Sequence, residues 1–266
     1  MKTVLIFLAI IVVSYLIGSI NPSIIISKLF FKKDIRTLGS GNAGATNLLR
    51  NFGAVPALFA LIMDFGKAVL AVFLGELLIS ICGLAPIYGS CVAAFSVVFG
   101  HVYPIYFKFK GGKGVLTIAG SVLLIHPWML VIALCIFGLT LVFTKYVSLG
   151  SIFACSSYCV QILIFALMRD CIDSAFWFEF IMTVTLVTWI VLKHRKNIVR
   201  IFKGTERKIT DKKKPVVAVE GLANDISTTL NVCDNAVAQS SEKASESESA
   251  TINIEANPNP TDKTRD

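Results

Sequence analysis

Apolar residues run through the first 192 positions in blocks too continuous for the single buried stripe of a soluble helix. The blocks cover residues 4–26, 52–81, 85–99, 115–125, 129–143 and 152–168, and a seventh ends near residue 192. A helix needs roughly 20 apolar residues to cross a bilayer at right angles, and several blocks fall short of that. The two on either side of His126-Pro127-Trp128 are compatible with two short spans or with one re-entrant hairpin. The first block is too long for the h-region of a signal peptide and lacks a small-residue cleavage site, so it predicts a retained helix. Asn21-Pro22 should bend it, because proline removes a helix hydrogen bond. The pattern predicts an all-α, polytopic membrane protein of about seven transmembrane helices.

Composition agrees: 55% of the 266 residues are hydrophobic and 16% charged, and the mean hydropathy is +0.73. A soluble domain is excluded on that balance. The net charge of +8 matters less than where it falls. With the N-terminus outside, the positive residues of segments 28–50, 108–113 and 193–207, together with Lys145, fall on one side, which the positive-inside rule makes cytoplasmic. Glu76, His126, Arg169, Asp170 and Asp173 fall on the other. The seven cysteines contain no C-x-x-C pair and read as small buried residues, suggesting neither a disulfide framework nor a metal site. Beyond about Thr210 the chain turns polar, with stretches such as SSEKASESESA, and has too little apolar surface to offset chain entropy. The expected organisation is a membrane domain over 1–208 and a disordered polar cytoplasmic tail over 209–266.

Four polar segments meet on the predicted cytoplasmic side. Gly111-Gly112-Lys113-Gly114, preceded by Lys108 and Lys110, could turn backbone N–H groups toward one point, with a helix N-terminus at Val115 adding partial positive charge. It is not a Walker A loop: Phe107 stands five positions before Gly112, and Gly114 follows Lys113. Segment 37–50 offers the Ser40 and Thr46 hydroxyls, the Asn42 and Asn47 amides and the Arg50 guanidinium, a set suited to oxyanions. Ser148 lies in the third segment. In the last, His194 and Asn197 are i, i+3 and face the same way on a helix. His194 is a candidate base or orienting group and His101 an alternative, whereas His126 lies on the wrong face. Within an apolar block, Asp64 and Lys67 are also i, i+3 and should pair, since each alone is costly in a bilayer.

The segments LGSGNAGATNLLRNFG, GHVYPIYFKFKGGKGV, TKYVSLGSI and HRKNIVRIFKGTE resemble, in this order over about residues 10–208, the motifs of the bacterial acyl-phosphate:glycerol-3-phosphate acyltransferases. That resemblance implies a seven-helix enzyme of the bacterial inner membrane with its active site toward the cytoplasm. It implies transfer of a fatty acyl group from acyl phosphate to the 1-hydroxyl of glycerol 3-phosphate, giving lysophosphatidic acid, the first acylation of phospholipid biosynthesis. Ser40, Arg50, Lys113, His194 and Asn197 are then the catalytic candidates. Asn42, Thr46, Asn47, Gly111, Gly112, Gly114 and Ser148 are candidates for substrate binding, the glycine loop taking glycerol 3-phosphate. No cofactor, metal or nucleic acid is implied. Membrane lipid is, as is the enzyme that supplies acyl phosphate. Ala68, Leu116 and Lys145 depart from the usual residues, and Lys145 lacks the bidentate grip of the arginine it replaces.

Such chemistry asks for two anions brought together and a hydroxyl set against an acyl carbon. The proton of that hydroxyl can pass to His194 or to a substrate phosphate oxygen, the latter favoured by the resemblance. The rival from another class is a transporter or channel for a phosphorylated solute, using the same cationic loops as a gate.

Overall fold

The computed structural model describes residues 1–211, which form helices joined by short turns, with no strand among them. Ten α-helices follow in order: α1 Lys2–Ser19, α2 Pro22–Phe31, α3 Ala45–Phe52, α4 Ala54–Ser80, α5 Pro86–Val102, α6 Val115–Ile125, α7 Pro127–Thr144, α8 Val147–Arg169, α9 Ser174–Lys193 and α10 Arg195–Phe202. Six stretches are long and apolar enough to cross a membrane, α1 and α2 counting as one, and α6 is a shorter apolar helix. The architecture agrees with the predicted all-α polytopic class. The predicted tail beyond residue 211 lies outside the described residues.

At 1.5 Å per residue the 11 residues of α6 extend about 16 Å, half the hydrocarbon thickness. His126-Pro127 ends it and starts α7 at once, proline being at home in a first helical turn. The break predicted at Asn21-Pro22 is also present. Asn21 caps α2, its side-chain oxygen accepting the Ile24 N–H at 3.1 Å.

The helices pack α1 on α5, α4 on α5 and α6, α7 on α8, and α9 on α5 and α8. Gly18 and Gly100 let α1 and α5 approach backbone to backbone, since a side chain on either would strike the other helix. The centre is an apolar cluster that includes Val97, Ile118, Val122, Tyr158 and Ile190. Outward faces carry large apolar residues, such as Phe59, Phe73, Leu139 and Val142, as lipid-facing surfaces do.

Two polar layers bound this centre. Ser148, at the start of α8, lies against Glu206 beyond α10, so the loops before α6, α8 and α10 share one end of the bundle. At the other, His126 Nε2 lies 2.8 Å from Glu179 Oε1 near the start of α9. Asp64 and Lys67 pair at 2.8 Å, as their spacing predicts, and are buried. His101 joins them, its Nδ1 3.0 Å from Asp64 Oδ1, a partner the spacing did not reveal.

The two ends should face opposite sides of the membrane. In an otherwise cysteine-free chain, a cysteine at Asp170 should react with an impermeant thiol reagent in intact cells. One at Lys110 should react only after the membrane is opened; labelling of both from outside would contradict the arrangement.

Candidate active site

The first motif folds around Asn47, which is 3% exposed. Its Nδ2 shares two hydrogens among the carbonyls of Ile35 (3.1 Å), Leu38 (3.0 Å) and Asn42 (3.0 Å), and its Oδ1 accepts from the Ser40 N–H (3.1 Å) and Asn51 Nδ2 (3.1 Å). Predicted as a substrate-binding amide, Asn47 is spent on shaping the loop. The Ser40 and Thr46 hydroxyls and the Asn42 amide make no hydrogen bond within the described residues and stay available. Arg50 reaches across to the Arg207 carbonyl at 3.1 Å.

The glycine loop departs from expectation. The Gly111 and Gly112 N–H groups donate to the Val102 and His101 carbonyls, at 3.2 and 3.1 Å, and so do not open toward a ligand. Only Gly114 uses positive φ, at 86°, where it caps α6. At Gly112 the reason for glycine is space: a Cβ would land on His101 Nε2 and lie 2.6 Å from the Ala43 carbonyl oxygen. The N–H groups left to meet an anion are those of Lys113, Gly114 and the first turn of α6. Arg36 clamps the loop from outside, donating from Nη1 to the Phe107 (2.8 Å) and Lys110 (3.2 Å) carbonyls. Hydrogen bonding from that guanidinium holds the Asp34 carboxyl well below its usual range.

The last motif supplies the counter-charge. Lys113 Nζ donates to Asn197 Oδ1 at 2.7 Å, and Asn197 Nδ2 donates to Glu206 Oε1 at 2.6 Å. Ser148 donates to the same oxygen at 2.8 Å, and Arg200 Nε to Oε2 at 2.7 Å. Ser148, predicted to bind substrate, thus spends its single hydroxyl hydrogen on a carboxylate. Glu206 and Arg200 were missed, although Glu206 is the one acidic residue in the basic segment 193–208. A lone acid among so many cations is the expected place for a structural counter-ion.

Charge at this end is tuned by burial. Lys113 is brought down to about 8 by desolvation, with Glu206 opposing the shift and Arg200 and Arg50 adding to it. Desolvation likewise lowers Arg50. His194 falls to about 4 through burial and the Lys113 charge, and so is neutral at physiological pH. Its Nδ1 faces the Ile190 carbonyl at 2.8 Å. A neutral ring must donate there, which leaves Nε2 with a lone pair. Burial pushes Glu206 up, but hydrogen bonds from Arg200, Asn197 and Ser148 outweigh it and hold the carboxylate ionised.

Lys113, His194, Asn197, Ser148 and Arg50 are therefore brought to one end. The Ser40 loop abuts the glycine loop through Ala43. The set offers several cations against one carboxylate, a free hydroxyl and a helix N-terminus, which together can hold phosphate groups and stabilise an oxyanion. Among the described residues no cluster of His, Cys, Asp or Glu side chains converges as metal ligands would.

Residues 8–204 match the family model for glycerol-3-phosphate acyltransferase. A glycerol-3-phosphate acyltransferase of Staphylococcus saprophyticus is 42% identical, the match covering 74% of this chain and 95% of the relative. One from Clostridioides difficile is 36% identical over 78% of this chain and 98% of its own. The fold is similar to the crystal structure of PlsY, an integral membrane glycerol 3-phosphate acyltransferase, in its glycerol 3-phosphate form. There the TM-score is 0.67 at 29% identity, covering 76% of this chain and 94% of that one.

An anion held beside Lys113 should be bound in a pH-dependent way, because Lys113 is lowered. Its charge is complete well below pH 8 and is lost as pH rises through that value. Affinity for inorganic phosphate should fall as pH rises through 8, by at most about tenfold per pH unit. Lys113→Arg, whose guanidinium stays charged, should flatten the fall. Calorimetric titrations across this range check it, and a wild-type affinity that does not change would contradict it.

Proposed function

The chain belongs to the glycerol-3-phosphate acyltransferase family, and from that premise we propose that it acylates glycerol 3-phosphate with acyl phosphate as donor. The glycerol 1-hydroxyl oxygen bonds to the acyl carbon, the bond from that carbon to the phosphate oxygen breaks, and lysophosphatidic acid and phosphate result. The observation that carries this reading is the polar group in which Lys113, Asn197, Ser148, Arg200 and Glu206 are hydrogen-bonded at one end of the bundle. A lipid donor and a water-soluble phosphate meet most readily at such an end.

The donor is a mixed anhydride and is already activated, so the protein's part is placement and charge. Lys113 and the N-terminus of α6 take the glycerol 3-phosphate phosphate, with Gly111 and Gly112 forming the wall behind them. Arg50 and Ser40 face the donor, with Asn42 and Thr46 beside them, and neutralise charge growing on the leaving phosphate and the tetrahedral oxyanion. Asn197 holds the Lys113 ammonium in line. Ser148 steadies Glu206 and so Asn197.

His194 presents Nε2 as a hydrogen-bond acceptor for the attacking hydroxyl. Near 4 it is a weak base, whereas a phosphate monoester dianion takes up a proton at about 6. A substrate phosphate oxygen is therefore the better proton acceptor, and His194 orients the hydroxyl. The cationic end faces the cytoplasm of the bacterial inner membrane, where glycerol 3-phosphate and the enzyme that makes acyl phosphate would supply it. A transporter has no comparable support, because the apolar cluster around Val122 and Tyr158 separates this end from the His126–Glu179 pair.

Purified protein given radiolabelled glycerol 3-phosphate and palmitoyl phosphate should form lysophosphatidic acid, and palmitoyl-CoA should not replace the donor. Ser40→Ala and Arg50→Ala should each lower kcat about a hundredfold with smaller changes in KM, the loss expected for a donor that acts in the transition state. Turnover with the thioester alone would reject acyl phosphate as the donor.

A further inference from the structure

Two observations around Gly112 are not used by the mechanism above. The first is the group of three ionisable side chains inside the bundle: Asp64, Lys67 and His101 are 1%, 9% and 4% exposed. Lys67 Nζ donates to the Gly18 carbonyl at 2.9 Å, the Ile20 carbonyl at 2.6 Å and Asp64 Oδ1 at 2.8 Å. Those three bonds exhaust the hydrogens of an ammonium group. The Lys67–His101 nitrogen contact at 3.1 Å is then not a bond donated by the lysine. His101 Nδ1 must instead carry a proton and donate it to Asp64 Oδ1 at 3.0 Å. The imidazole is thereby locked in one orientation, with its far end, Nε2, against Gly112.

The second observation lies at the same face of that glycine. The Ala43 carbonyl oxygen also borders the place a Cβ would take, and it accepts from Asn21 Nδ2 at 3.4 Å. Asn21 is the residue that caps α2 at the break after α1, next to the Ile20 carbonyl that Lys67 holds. Both neighbours of Gly112 therefore trace back to one place, the α1–α2 break. One path runs through Lys67, Asp64 and His101, the other through Asn21 and Ala43. The Gly112 N–H, donated to the His101 carbonyl, closes the link to the loop.

A charged group kept only for stability could be exchanged for apolar packing without loss, as buried ion pairs often can. Counter-charge for Lys67 needs Asp64 alone. His101 is surplus to that need, and its Nε2 borders the loop at Gly112.

We infer that His101, oriented by Asp64 and Lys67, is a positioning residue that sets where Gly112 and Lys113 stand and so where the acceptor's phosphate is held. This rests on the reading that the glycine loop takes glycerol 3-phosphate. Asp64 and Lys67 act at one further remove, through the imidazole.

The informative variant is His101→Asn. Its amide can still donate to Asp64 from the place of Nδ1, while the part of the ring that walls Gly112 is gone. A merely structural role would be met by asparagine; a positioning role would not. The expected result is a rise of about tenfold or more in KM for glycerol 3-phosphate. The thermal midpoint should be unchanged, with kcat and KM for acyl phosphate within about threefold. If both KM values stay at the wild-type level, or kcat and the thermal midpoint fall together with KM unchanged, the inference is wrong. A rise confined to KM for acyl phosphate would keep the positioning role but move the loop to the donor, overturning the acceptor assignment instead.

A measurement on the unaltered protein stands beside it in case the variant does not fold. The chain has three histidines, so ¹⁵N-histidine labelling gives a simple spectrum. Saturating glycerol 3-phosphate should move the Nε2 resonance of His101 and leave that of His126, at the other end, in place. An unmoved His101 signal would overturn the inference.

Discussion

The demand that every backbone carbonyl find a partner in a place without water governs how this bundle is built. The first span is broken at Asn21-Pro22, which leaves the carbonyls of Gly18 and Ile20 without helical partners. Lys67, three residues beyond Asp64 on α4, satisfies both at once. The lysine can be buried there only because Asp64 balances it, and removing one member of such a pair costs about 3–5 kcal/mol. The break in turn lets α2 and the Ser40 loop leave the line of α1 and lie beside the glycine loop. A straight first helix would carry that loop away from Lys113.

At the polar end the problem is reversed. Arg50, Lys113 and Arg200 would repel one another if left alone, yet the proposed site for two anions must stay positive. Glu206 resolves this by accepting from Arg200, Asn197 and Ser148 and leaving Lys113 on the amide of Asn197 instead of on a carboxylate. An amide oxygen fixes the ammonium without neutralising it. Lys113 therefore keeps a charge that is poorly solvated, and a phosphate can satisfy it. The same desolvation keeps His194 neutral, so the ring offers a lone pair instead of a second proton.

The Ser40 loop and the glycine loop are rigid for different reasons. Asn47 replaces secondary structure in the first, collecting five hydrogen-bond partners inside a turn that has none of its own ladder. Arg36 and the carbonyls at the end of α5 fix the second from outside. The two meet through Arg36, which holds the Phe107 and Lys110 carbonyls, and at Ala43 and Gly112. In the proposed reaction, that last contact sets the acceptor and donor halves of the site against each other.

Apolar blocks and the one-sided placement of lysine and arginine were enough to determine the helical membrane class, the order of the spans, the break at Asn21-Pro22 and the meeting of four polar segments. These follow from local rules, because hydrophobic length and charge position are properties of the chain. The Asp64–Lys67 pair was legible for the same reason, being one helical turn apart. Glu206 as the hub of Ser148, Asn197 and Arg200 was not, since Ser148 and Glu206 are 58 positions apart. Nor was His101 as third partner to Asp64, 37 positions away. The glycines show the division most plainly. Their spacing predicted N–H groups turned toward one point, but only packing decided that Gly112 makes room for His101 and Ala43, and that Gly111 and Gly112 spend their N–H groups on α5. Which atoms crowd a glycine depends on how helices far apart in the chain come together, and no local pattern records that.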